Sequence, residues 1–156
     1  MWQRIQTVFL VIVILCMVIG IFFPIGIFTD PATSVIHELY PLQYTTRENG
    51  TAVAIAYFPY CVSAILMIAS ATLAGMSISR YDNRMTQVKI GTLNSLLLAG
   101  SMISIVVFFT QFSNKYQTTG LGLVIWITFA ASVCNWLALR FIRRDEKLVR
   151  DSDRLR

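Results

Sequence analysis

The sequence predicts an all-α fold, a polytopic membrane protein built as a four-transmembrane-helix bundle with both termini cytoplasmic. Three observations predict it. The 156 residues are 56% hydrophobic and only 13% charged, with a mean hydropathy of +0.64, too apolar for a water-soluble domain of this size. Four stretches, residues 5–28, 51–78, 90–112 and 121–139, contain no Asp, Glu, Lys or Arg. A helix of about 20 residues crosses a hydrocarbon core about 30 Å thick, so each stretch is long enough to span. Basic residues then partition unequally. Arg4, Arg80, Arg84, Lys89 and seven Lys and Arg of the C-terminal tail fall on one side of the predicted membrane, against Arg47 and Lys115 on the other. By the positive-inside rule this places both ends and the short middle loop in the cytoplasm. Barrel strands would appear as alternating segments of about ten residues, which these continuous runs are not.

The first span, residues 5–28, follows Arg4 as a signal peptide would, but it is longer than an ordinary signal core and no small-x-small cleavage motif follows. It is expected to remain in the mature protein. The outer loop, residues 29–50, is too short for a core of its own. Its Val35 to Tyr44 portion suits a short extended or interfacial piece, and Tyr40, Tyr44, Tyr57 and Tyr60 suit an aromatic belt. His37 and Glu38 lie here as adjacent residues that diverge on a strand or a helix, and are expected to be a solvated pair near the headgroups. Small residues at four-residue spacing, Gly91, Ser95 and Ala99 in the third span and Ala71 and Gly75 with Ser70 and Ala74 in the second, mark packing seams.

Within the spans the informative groups are polar but uncharged: Thr92, Asn94, Ser95, Ser101 and Ser104 in the third, Thr128, Ser132 and Asn135 in the fourth. Such side chains turn inward and bond across helices. Asn94 and Asn135 both lie toward the cytoplasmic ends, so a helix–helix polar contact between them is expected. No ionisable residue falls within the spans, which argues against a proton relay or a voltage sensor. The three cysteines, Cys16, Cys61 and Cys134, lie within the spans, where a thiol packs as a small hydrophobe. No catalytic residue, cofactor-binding residue, metal ligand or cofactor is expected, and nucleic acid is not an expected partner.

The tail, residues 140–156, carries seven basic and four acidic residues, yet Phe141, Ile142, Leu148, Val149 and Leu155 fall on one helical stripe. A helical cytoplasmic extension of the fourth span is expected. Phe141, Arg143, Arg144, Glu146, Leu148, Arg150 and Leu155 are its candidate partner-docking residues.

The start, MWQRIQT, and the close, NWLALRFIRRDEKLVRDSDRLR from Asn135 to Arg156, resemble the ends of an uncharacterised four-helix membrane family of Bacteroidota, a domain of unknown function. The resemblance implies a bacterial inner-membrane protein and carries no activity or catalytic residue to transfer. The leading expectation is a non-catalytic accessory or scaffold subunit of a larger inner-membrane complex. Its partners would be membrane lipids and other membrane subunits or a second copy of itself. The alternative is a small homo-oligomeric transport or lipid-handling protein lined by Asn94, Ser101 and Asn135.

Overall fold

The computed structural model describes residues 2–48, 50–80, 84–117, 120 and 122–154, with side chains described between Ile5 and Lys147. Four helices and four strands follow one another as α1 (Trp2–Gly20), β1 (Gly26–Thr29), β2 (Ile36–Leu39), β3 (Tyr44–Glu48), β4 (Thr51–Ala56), α2 (Cys61–Ser79), α3 (Arg84–Tyr116) and α4 (Leu123–Arg154). The chain is therefore not all-α. The strands form one antiparallel sheet in the order β1-β2-β3-β4.

This sheet corrects two of the expected spans. Residues 5–28 and 51–78 were charge-free because β1 and β4 are as uncharged as the helices beside them. The first helix ends at Gly20, ahead of Pro24 and Gly26, and α2 begins only after Pro59, as the missing N–H and fixed φ of proline favour. Among the described residues three helices, not four, are long and apolar enough to cross a membrane: α2, α3 and α4 over Leu123–Lys147. Over its described side chains α1 is a shorter apolar helix, Ile5–Gly20. The expected outer loop holds β2 and β3, and the β3–β4 turn passes through Gly50, whose φ of +81° a side chain would resist.

Each helix packs against two neighbours: α1 against α2 and α4, and α3 against α2 and α4. The buried positions recur at alternating steps of four and three. They include Gln6, Leu10, Val13 and Met17 in α1; Ser63, Met67, Ser70, Ala74 and Ser77 in α2; Gln87, Gly91, Asn94, Leu98, Ser101 and Ile105 in α3; Val124, Thr128, Ala131, Asn135, Ala138 and Ile142 in α4, with Ala64 and Leu139 buried beside the series. A period of 3.5 residues is the signature of knobs-into-holes packing with a left-handed supercoil. Serine, asparagine and glutamine thus point inward, while Ile65, Leu96, Ile103 and Trp126 are each at least 60% exposed. An apolar exterior over a partly polar interior is the pattern of a membrane protein, whose helices gain little from burying apolar groups away from lipid tails and associate instead through close packing and interhelical hydrogen bonds.

The sheet caps one end of the bundle. Leu39 and Ile25 are fully buried there, and the Ile25 N–H donates to the Leu39 carbonyl at 2.6 Å. Gly122, just ahead of α4, donates its N–H to the Ile25 carbonyl at 3.0 Å. The Ser63 hydroxyl, at the start of α2, donates to the Pro41 carbonyl at 2.8 Å in the β2–β3 turn.

Candidate functional site

Three polar constellations stand out, and the first is inside the bundle. Asn94 of α3 donates from Nδ2 to Oδ1 of Asn135 on α4 at 3.1 Å, and accepts at Oδ1 from the Ser70 hydroxyl of α2 at 2.7 Å. Asn135 donates in turn to the Ser95 hydroxyl at 2.8 Å and the Gly91 carbonyl at 3.2 Å. Three helices are tied together by side chains that are 1% exposed or less at Ser70, Asn94 and Asn135. Gly91 makes the approach feasible, since a Cβ there would come within 2.6 Å of Leu139 Cδ2. One turn nearer the tail end, Gln87 donates from Nε2 to the Ser77 carbonyl at 2.8 Å, bonding α3 to α2. Ser101 is buried too, but its hydroxyl donates within its own helix, to the Leu98 carbonyl. Asn94, Ser101 and Asn135 are all buried in the interior of the bundle.

The second constellation lies under the sheet. His37 and Glu38 face opposite ways on β2. His37 is half-buried, stacked 4.5 Å from the Tyr116 ring at the end of α3 and flanked by Phe28 and Tyr44. Its Nδ1 is hydrogen-bonded to the Tyr44 hydroxyl at 2.9 Å, and the Tyr44 and Tyr116 hydroxyls are 2.5 Å apart. Burial, and then the Lys115 ammonium beside it, hold the imidazole below its ordinary pKa, partly offset by the Asp30 carboxylate. Burial pushes the Tyr44 phenol up, and so does its bond to Tyr116. A neutral ring stacked among aromatic side chains replaces the solvated pair expected for His37. On the other face Glu38 Oε2 lies 3.2 Å from Arg47 Nε. This is a structural cap, and among the described residues no group of three or more His, Cys, Asp or Glu is placed to hold a metal.

The third is the tail. Helix α4 continues through it to Arg154. Phe141 stacks face to face on Phe9 of α1, ring centroids 5.8 Å apart, and Ile142 is buried. That part of the apolar stripe is occupied by the chain itself. Arg143 and Arg144 are exposed and Glu146 is half-buried. The side chains of Leu148 and Arg150, and Leu155 altogether, lie outside the described residues.

Against known proteins, a family model described as a domain of unknown function, DUF4293, matches residues 2–155. The chain belongs to the DUF4293 family. No curated protein matches it. For this DUF4293 chain the residues that reading by span alone passes over are Gln87 and Tyr116, and Ser70, read only as a small residue of a packing seam, is a hydrogen-bond donor to Asn94. Ser70 and Gln87 carry a usable signal: Ser63, Ser70 and Ser77 are seven apart, as are Gln87, Asn94 and Ser101. Tyr116 carries none, because its partner Tyr44 is 72 residues away.

Proposed function

We propose that this DUF4293 chain is a non-catalytic accessory or scaffold subunit of a larger bacterial inner-membrane complex. The tail end would lie in the cytoplasm and the sheet on the outer face. The unequal distribution of basic residues supports that orientation, and the Phe9–Phe141 stack sets the start of α1 beside the same end as the tail.

The observation that carries the reading is β4. It is an edge strand of sequence TAVAIA in which every residue is exposed, Val53 and Ile55 at 62% and 48%. One edge pairs with β3, and the other is a row of backbone donors and acceptors with no Lys, Pro or charge to guard it. Such an edge is a template for strand addition, in which main-chain hydrogen bonds supply affinity and alternate side chains supply selectivity. The partner it fits is an extended segment of another subunit of the complex.

The test is purification of the natively expressed, tagged chain in mild detergent, with complex mass and composition read by size analysis and mass spectrometry, for the wild type and for Val53→Lys with Ile55→Lys. A stoichiometric larger partner that is lost from the double variant is the expected result. A wild-type chain that purifies alone overturns the proposal.

A further inference from the structure

On the bundle surface between α3 and α4, at the tail end, a cleft of about 430 Å³ is lined by Thr92 and Ser95 from one helix and by Trp136, Leu139, Arg140 and Arg143 from the other. Arg140 and Arg143 are three residues apart, so their side chains share a face of α4. Both are exposed, and the Arg140 guanidinium lies 5.5 Å over the Trp136 ring. Among the described residues neither guanidinium has a carboxylate partner. Two adjacent cations are self-repelling, and they gain most from a ligand with adjacent anionic oxygens.

We infer that this cleft binds the phosphate headgroup of an anionic phospholipid from the leaflet on the tail side. The inference rests on the membrane reading above. Arginine forks match phosphate oxygens two at a time, and basic pockets between membrane helices on the cytoplasmic side hold anionic headgroups. The depth is consistent: Trp136 suits the interfacial belt, with Arg140 one turn further toward the tail. On the other side of Trp136, the exposed Leu96, Phe129 and Val133 offer an apolar track for acyl chains. A soluble anion would leave that track unused, which is why the lipid is the occupant the surface fits. The cleft also touches the interior: the Ser95 hydroxyl that lines it accepts from Asn135, so an occupied cleft braces the polar network that joins α3 to α4.

The experiment uses the full chain in mild detergent, titrated separately with phosphatidylglycerol, phosphatidylcholine and inorganic phosphate. Retained lipid is read by native mass spectrometry and thermal stability by circular dichroism. Phosphatidylglycerol is expected to be retained at one per chain and to raise the melting temperature, phosphatidylcholine to be retained at least about tenfold less. Because charge-assisted hydrogen bonds are stronger than neutral ones, Arg140→Gln with Arg143→Gln is expected to weaken phosphatidylglycerol retention at least about tenfold. The control Arg80→Gln, at the C-terminal end of α2 and outside the cleft, is expected to leave it unchanged. Equal retention of both lipids overturns the proposal, and so does an equal loss in the control or the same stabilisation by phosphate alone. Flotation with phosphatidylcholine vesicles separates the two readings: a chain that inserts but retains no phosphatidylglycerol removes the lipid site, and one that fails to insert removes the membrane reading beneath it.

Discussion

Replacing Asn94 by Leu tests whether the interior network holds the bundle. Leucine matches asparagine in side-chain atom count and branching, so the substitution removes hydrogen bonds with little change in packing. In the wild type Asn94 accepts from Ser70 and donates to Asn135. Without it the Ser70 hydroxyl can turn to a carbonyl of its own helix, as Ser95 does toward Gly91 at 3.1 Å, but Asn135 Oδ1 is left buried without a donor. A stranded buried acceptor costs about 1–3 kcal/mol, while interhelical hydrogen bonds in membranes average about 0.6 kcal/mol and reach about 1.7 kcal/mol. Asn94→Leu is therefore expected to destabilise by about 2 kcal/mol. Asn135→Leu strands the Asn94 amide in the same way and is expected to cost a similar amount. The double variant removes both partners together and leaves nothing stranded that cannot re-pair locally, so its cost is expected below about 1 kcal/mol. The singles thus overshoot the double by about 3 kcal/mol, a coupling typical of groups in one buried network. The assay is reversible denaturation in mixed detergent micelles followed by circular dichroism, in a double-mutant cycle. Additive costs, or single variants within about 0.3 kcal/mol of wild type, would refute the reasoning.

Two further perturbations report on the cap. Gly122→Ala would set a Cβ 2.2 Å from the Ile25 carbonyl oxygen and 2.4 Å from that of Pro24. Because both obstacles are backbone, the loss is expected at the upper end of overpacking, about 3 kcal/mol, read as a lowered thermal midpoint; an unchanged midpoint would show that the contact between β1 and the start of α4 does not matter. His37 has a folded-state pKa below its ordinary value of about 6.5. Its contribution to stability is then complete above about pH 6.5 and is lost as pH falls through the lower folded value, because the unfolded chain takes up the proton first. Protection of the β2 and β3 amides, taken relative to the intrinsic exchange rate at each pH, is expected to fall as pH drops below about 6.5 in the wild type and not in His37→Asn; an identical profile in both would exclude the imidazole as the cause.

The helices α3 and α4 were legible because their apolar runs are long and no strand abuts them, and the inward turn of Asn94 and Asn135 follows from the expense of presenting an amide to lipid. The sheet was hidden by the same criterion. Absence of charge marks burial or a lipid-facing position, and strands at the end of a bundle share it with helices. Local chemistry held the missing signal: Pro24 and Gly26 interrupt the first run, Pro59 interrupts the second, and Asn49-Gly50 between two β-branched segments is a hairpin sequence. The His37, Tyr44 and Tyr116 cluster had no such signal, since it arises only when the sheet folds onto the end of α3.

The alternating four-and-three spacing links these features. In water a core carrying serine, asparagine and glutamine would surrender apolar burial, and the outward Ile65, Leu96 and Ile103 would drive aggregation. In lipid both objections vanish, and what remains to specify one packing is shape and hydrogen bonding. Heptad-spaced small residues let the helices approach, and the asparagine network selects the register in which α2, α3 and α4 approach, as a single buried asparagine does in a coiled coil. A slip of one heptad would move Asn94 or Asn135 by about 10 Å along its helix and strand its amide. The register so fixed extends beyond the network, because α3 runs unbroken over 33 residues and α4 over 32. At one end Gly122 joins α4 to β1, and at the other Phe141 joins it to α1. A partner strand added at β4 would therefore meet a sheet whose position relative to the tail is already set.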